Sequence, residues 1–133
     1  MRHEHPVQLR WSDPDSYGHV NNARALSLLE DARLAMAGTA PGTAEGRLPD
    51  IILARLEVDY LRHLYYRKGE RLCVRSVVTR LGTKSFTVRQ ELVQDGDVAI
   101  RADVVMVLFD FATDASRAMT DQERQFWSRY QAA

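Results

Sequence analysis

One cysteine, Cys73, occurs among 133 residues. A disulfide within the chain is therefore excluded, and no Cys/His spacing of a zinc site is present. An excess of charge of either sign is also missing, because 18 Lys and Arg offset 18 Asp and Glu. A neutral chain has no bulk field to draw in nucleic acid or an anionic membrane, so neither is expected as a partner and any anion site must be a local patch. Neutrality also gives little colloidal repulsion, which suits a protein that buries surface in an oligomer. No apolar run approaches the length of a membrane span. The opening Met1-Arg2-His3-Glu4-His5 lacks the apolar stretch of a secretion signal, so a cytoplasmic protein is expected. A Gly-x-Ser-x-Gly elbow is absent. Cys73 has no evident catalytic partner and reads as a small buried hydrophobe.

What is present is a globular composition, 45% apolar and 27% charged, in a length that suits one domain over residues 1–133. His5 to Trp11 alternates as a strand, with Val7, Leu9 and Trp11 on one face. A turn-rich loop, Ser12 to Val20, carries Pro14 and Gly18. Asn21 to about Ala37 reads as a helix with a stripe of Leu26, Leu29, Ala32 and Met36, widened by Leu28, with Asn21 or Asn22 as N-cap and Gly38 as stop. Thr39 to Pro49 is a loop. Four strands follow. In the first, Ile52, Ala54, Leu56, Val58 and Tyr60 oppose Arg55, Glu57 and Asp59. Then come Leu72–Leu81 and Ser85–Gln94, the latter with Phe86, Val88 and Leu92 inward. After an Asp95-Gly96 hairpin turn comes Val98–Phe111, the most apolar and hence expected to be central. Thr120 to Glu123 forms a capping box for a short helix ending near Tyr130. The order predicts an α+β domain, an antiparallel five-stranded meander wrapped around one long central helix, plus a short C-terminal helix. One helix covers only part of such a sheet, so a second copy of the chain is expected against the rest.

The loop before the long helix concentrates the chemistry. Asp15 lies a few residues ahead of a helix start, where unpaired N–H groups and partial positive charge gather. A carboxylate beside amide donors is the minimum for attack on a carbonyl: a base or nucleophile next to an oxyanion site. By type and position, Asp15, His19 and Asn22 are the candidate catalytic residues, and Tyr17, Gly18, Val20 and Asn21 the candidate substrate contacts. Gly18 supplies a positive φ or a close approach. His19 either assists proton transfer or fixes the loop. Asp13 reads as the turn former before Pro14. The two acids lack a third or fourth ligand nearby, so no metal is expected. Glu30 and Arg33 read as a helical ion pair. Arg62, His63 and Arg67 read as a solvated turn.

Asp13-Pro14-Asp15, Gly18-His19-Val20-Asn21-Asn22 and a helix containing Glu30-Asp31-Ala32-Arg33 together resemble the 4-hydroxybenzoyl-CoA thioesterase family of hotdog-fold acyl-CoA thioesterases. The likeness continues at Leu56-Glu57-Val58-Asp59-Tyr60, Leu81-Gly82-Thr83-Lys84-Ser85 and Val107-Leu108-Phe109-Asp110. The resemblance implies a hotdog fold, with the sheet as bun and the helix as sausage. It implies a homodimer with one continuous sheet, in some members paired again into a tetramer, and active sites between subunits. It places the family acid at Asp15 and a contact to the nucleotide of coenzyme A at Lys84. It also implies hydrolysis of an acyl-CoA, or an acyl carrier protein thioester, with no cofactor, coenzyme A being part of the substrate. Many relatives carry an aromatic residue where this chain has Ala25, a departure that reshapes the acyl pocket. A thioester carbonyl is electrophilic enough to react without a Ser-His-Asp triad. Asp15 then either attacks directly or activates water, and amide groups near Val20 to Asn22 hold the oxyanion. The competing readings are a non-catalytic acyl-CoA sensor and a hotdog hydratase or dehydratase.

Overall fold

The computed structural model describes residues 1–14, 16, 18–43 and 50–132. Its elements are β1 (His3–Gln8), α1 (Asn22–Ala37), β2 (Ile51–Tyr60), β3 (Arg71–Leu81), β4 (Ser85–Gln94), β5 (Asp97–Asp110), β6 (Ala115–Ser116) and α2 (Asp121–Ser128). The long strands form one antiparallel sheet in the order β1-β3-β4-β5-β2, and the two-residue β6 pairs with β5. This is the hotdog arrangement, α1 lying on one face of the sheet. No helix among the described residues is long and apolar enough to cross a membrane.

The hydrophobic pattern drives this packing. Ala25, Leu29, Ala32, Met36 and Ala37 are the buried positions of α1. They meet Val74, Leu92, Ala102 and Val104 from the sheet towards the helix start, and Val78, Phe86, Val88 and Leu108 towards its end. The second group is closed by Phe126 and Trp127 of α2, with the Trp127 ring stacked on Phe86 at 4.2 Å. The Asp95-Gly96 turn has φ of 56° and 78°, the two left-handed residues that suit a two-residue hairpin. The capping box also forms: Thr120 accepts from the Glu123 N–H at 3.1 Å, and Glu123 accepts from the Thr120 N–H at 2.8 Å.

Several expectations are corrected. The chain is not a plain meander: β2 joins the sheet beyond β5 rather than beside β3. Accordingly β5 is internal, yet β4 holds the middle position. The first strand ends at Gln8, and Trp11 is 81% exposed. Asp13 donates its N–H to Arg10 O at 2.9 Å and accepts from the Arg10 N–H at 2.8 Å, and this tight turn puts Trp11 at its apex. In β2 a bulge between Leu53 and Arg55 shifts the alternation. Ile51 and Leu53, rather than Ile52 and Ala54, therefore line the groove against α1, while Leu56 and Val58 keep the expected face. Cys73 is half-buried on the outer face, opposite Pro6 and Val93. Arg33 does not pair with Glu30 among the described residues. It reaches inward to donate to Gln90 Oε1 at 3.0 Å. Gln90, fully buried in β4, donates in turn to Leu29 O at 3.0 Å and Ser76 Oγ at 3.2 Å.

The outer face carries charges in register. Glu4, Arg75, Glu91, Arg101 and Asp59 stand side by side across β1, β3, β4, β5 and β2. Their sign alternates along the row, and Glu91 lies 3.9 Å from Arg75 and 3.0 Å from Arg101.

Candidate active site

The segment between β1 and α1 is clamped at both ends. Asp13 is 3% exposed; its carboxylate accepts from the Arg10 N–H and from Arg24 Nε at 3.2 Å, and its carbonyl accepts from the Asn21 N–H at 3.2 Å. Pro14 bridges to Val20. The Val20 N–H donates to Leu64 O at 2.9 Å, which ties the loop to the segment after β2. Gly18 has φ +79°, and a Cβ built there would meet nothing within 4 Å. The demand on this position is thus backbone conformation rather than space. Asp15 and Tyr17 lie outside the described residues.

Asn21 is the N-cap of α1, its side-chain oxygen accepting from the Ala23 N–H at 2.9 Å. An α-helix start offers several N–H groups without intrahelical partners. Here those of Val20 and Asn21, both expected to face an oxyanion, are already bonded to Leu64 O and Asp13 O. The Asn22 N–H is the one of that trio with no partner among the described residues. Asn22 also lines a cavity of about 210 Å³ with Val20, Ala25, Tyr60, Leu61, Arg62, His63, Leu64 and Ile100. The Tyr60 hydroxyl donates to Asn22 O at 3.3 Å across it. The small Ala25, 1% exposed, forms part of the wall.

His19 stands beside this cavity, its ring stacked on His63 at 3.9 Å and 14°, with the edge of Tyr65 at 5.4 Å. The structure therefore gathers Gly18, His19, Val20, Asn21 and Asn22 at the helix start. Lys84 is not among them. It sits exposed at the β3–β4 turn, where its carbonyl accepts from the Leu108 N–H at 2.9 Å. Ser85 pairs with Val107, whereas Tyr60 pairs with Ile100; Lys84 is thus at the opposite end of the sheet within one chain. At that end a second, more apolar cavity of about 160 Å³ is lined by Glu30, Arg33, Leu34, Ala37, Ile51, Leu53 and Met106. Burial pushes the Arg33 guanidinium down from its usual range, and the Glu30 carboxylate opposes that shift.

Sequence reasoning missed Tyr60, Arg62 and His63 as cavity residues. Their local pattern is that of a strand end running into a polar turn, and only the long-range contact with the loop reveals them. Arg67, by contrast, is a structural residue, gripping Asp95 with two hydrogen bonds of 2.6 and 3.0 Å.

A helix laid on an antiparallel sheet, with a clamped loop at the helix start, defines a hotdog protein. Residues 9–126 match the thioesterase-like superfamily, and the chain belongs to that family. It is similar to the structure of a predicted thioesterase from Bacillus stearothermophilus, at 26% identity and TM-score 0.89, over 99% of this chain and 98% of that one. A thioesterase from Thermus thermophilus, complexed with coenzyme A and Zn, superposes with TM-score 0.78 at 28% identity, over 92% and 94% of the two chains. The uncharacterized protein YsmA of Bacillus subtilis (strain 168) is 25% identical over 122 residues, 90% of this chain and 80% of that protein.

Proposed function

We propose that the protein is a cytoplasmic thioester hydrolase acting on an acyl-CoA or acyl carrier protein thioester. The observation that carries this reading is the Asn22 N–H, which has no partner among the described residues, in the wall of a cavity of about 210 Å³ next to the clamped loop that bears Asp15. The Asn22 amide holds the oxyanion that develops on the carbonyl, aided by the positive end of α1. Asp15 acts as nucleophile or general base, and His19 assists. Tyr17, Gly18, Val20 and Asn21 are the substrate contacts. The coenzyme A complex of the Thermus thermophilus thioesterase supports the choice of carrier. No metal or redox cofactor takes part.

The second half of the reading is a homodimer through β2. This strand is a sheet edge, and exposed Ile52 and Leu53 lie on it, with Leu34 exposed on α1 nearby. Such an edge invites pairing with another strand. Antiparallel pairing of β2 with its own copy sets the Tyr60 end of one protomer against the Ile51 end of the other. The cavity at one helix start then adjoins the apolar cavity of the partner, which receives the acyl group. The same pairing brings the Lys84 end of the second copy to that side, and Lys84 is assigned to the nucleotide of coenzyme A. This explains why one chain keeps the two groups of residues apart.

Thiol release from a panel of acyl-CoAs, followed with a thiol reagent, tests the reaction. Asp15→Asn is expected to lower kcat by at least about 100-fold while binding of coenzyme A persists. Binding with no thiol release by the wild-type protein would make it a sensor. A modified acyl chain with the thioester intact would make it a hydratase.

A further inference from the structure

Thioester hydrolysis moves one proton off water and one onto the departing sulfur, and a group other than Asp15 can serve the second transfer. The departing sulfur needs a proton as well, and the described wall of the cavity offers a source. His63 lines the 210 Å³ cavity together with Asn22, and also a neighbouring cavity of about 320 Å³ with Arg62, Tyr65, Gln94, Asp95, Asp97 and Ala99. His63 and Arg62 are the residues common to both linings. On one side the His63 ring is covered by His19, at 3.9 Å and nearly parallel.

The surrounding charges are already matched. Arg62 faces Asp97 at 3.4 Å, Arg67 holds Asp95, and Asp13 is held by Arg10 and Arg24. Tyr60 donates its hydroxyl to Asn22 O, and Tyr65 presents a ring edge to His19. The two imidazoles are the acid–base groups here without an ion-pair partner among the described residues. Imidazole is the side chain whose ordinary range brackets neutral pH.

We propose that His63, its ring held flat against His19, delivers a proton to the departing sulfur. The proposal rests on the thioester hydrolysis proposed above. In the general-base form, water gives a proton to Asp15 as its oxygen bonds to the carbonyl carbon. The C–S bond then breaks, its electron pair goes to sulfur, and sulfur takes the proton from His63. The new carboxylic acid ionises and its proton recharges His63, while Asp15 returns its own to solvent. The sulfur step is the same if Asp15 attacks directly.

The test compares two thioesters of one acyl group: the coenzyme A ester, whose alkyl thiol leaves poorly without a proton, and an aryl thioester, whose thiol leaves as the anion. His63→Phe keeps a flat ring on His19 but carries no proton; His63→Gln removes the ring as well. In both variants the ratio of the coenzyme A rate to the aryl rate is expected to fall by about 100-fold, with KM for the coenzyme A ester nearly unchanged. The alkaline fall in kcat that marks a required acid should disappear. Equal losses on both esters, or no loss on the coenzyme A ester, would overturn the assignment. If the wild-type protein releases no thiol from either ester, both proposals fall. If it is active and Asp15→Asn is too, the role of Asp15 falls alone, and the leaving-group comparison still judges His63.

Discussion

Asp13, two residues before the proposed catalytic Asp15, has a structural environment of its own. Asp13 is almost wholly removed from water and is compensated by Arg24, by Arg10 and by the Arg10 N–H. Replacing it with Asn keeps the shape but removes the charge that both arginines face. Asp13→Asn is expected to cost about 2 kcal/mol in a urea melt, and to lower thiol release as well, since the clamp positions the helix start. That Asp13 is the turn former was legible in the sequence, because Asp before Pro has a local meaning. The stack of His63 on His19 was not, because nothing within a short window around His63 encodes a ring on a distant loop. Narrowing the proposed oxyanion donor to Asn22 likewise required knowing that Leu64 O and Asp13 O take the neighbouring amides.

At the scale of elements, what is local was legible and what is paired across the sheet was less so. The ends of α1 and α2 follow from caps, and the β4–β5 turn from Asp95-Gly96. The place of β2 beside β5, and its bulge at Leu53/Arg55, depend on partners far along the chain. The α2 cap makes a pH prediction. Glu123 is gripped by Arg117 through hydrogen bonds of 2.7 and 2.8 Å, and this contact, more than the Thr120 bonds, holds its carboxyl below the usual value of 4.5. A carboxyl depressed on folding stabilises the native state above its ordinary pKa and loses that contribution as pH falls through the folded one. Glu123→Gln is therefore expected to be less stable by about 1–2 kcal/mol at neutral pH. Its stability curve should converge with that of the wild type as pH drops below 4.5, measured by thermal unfolding across pH.

For the whole molecule, the proposed dimer sets a sharp expectation. Leu53→Lys places a charge on the exposed edge of β2, against the same residue region of its copy. Light scattering at micromolar concentration should give twice the chain mass for the wild type and the single mass for the variant, with thiol release lost in parallel. A wild-type monomer that retains full activity would show that each chain holds a complete site. Sequence pattern alone predicted a partner from uncovered apolar surface. The edge assigned to the proposed dimer could be chosen only with the strand order, since β1 is the other candidate edge and carries Pro6 and the polar Glu4 and Gln8.

The row from Glu4 to Asp59 bears on how charged molecules approach. Strands lie about 4.8 Å apart, so a row of alternating sign repeats every two strands, and its potential dies away over a decay length of only about 1.5 Å. Three acids and two bases leave the row one net negative charge, so an anionic nucleotide diffusing past it meets weak repulsion and no pull. Attraction of such an anion has to come from elsewhere on the surface, and salt should only soften the repulsion of this row.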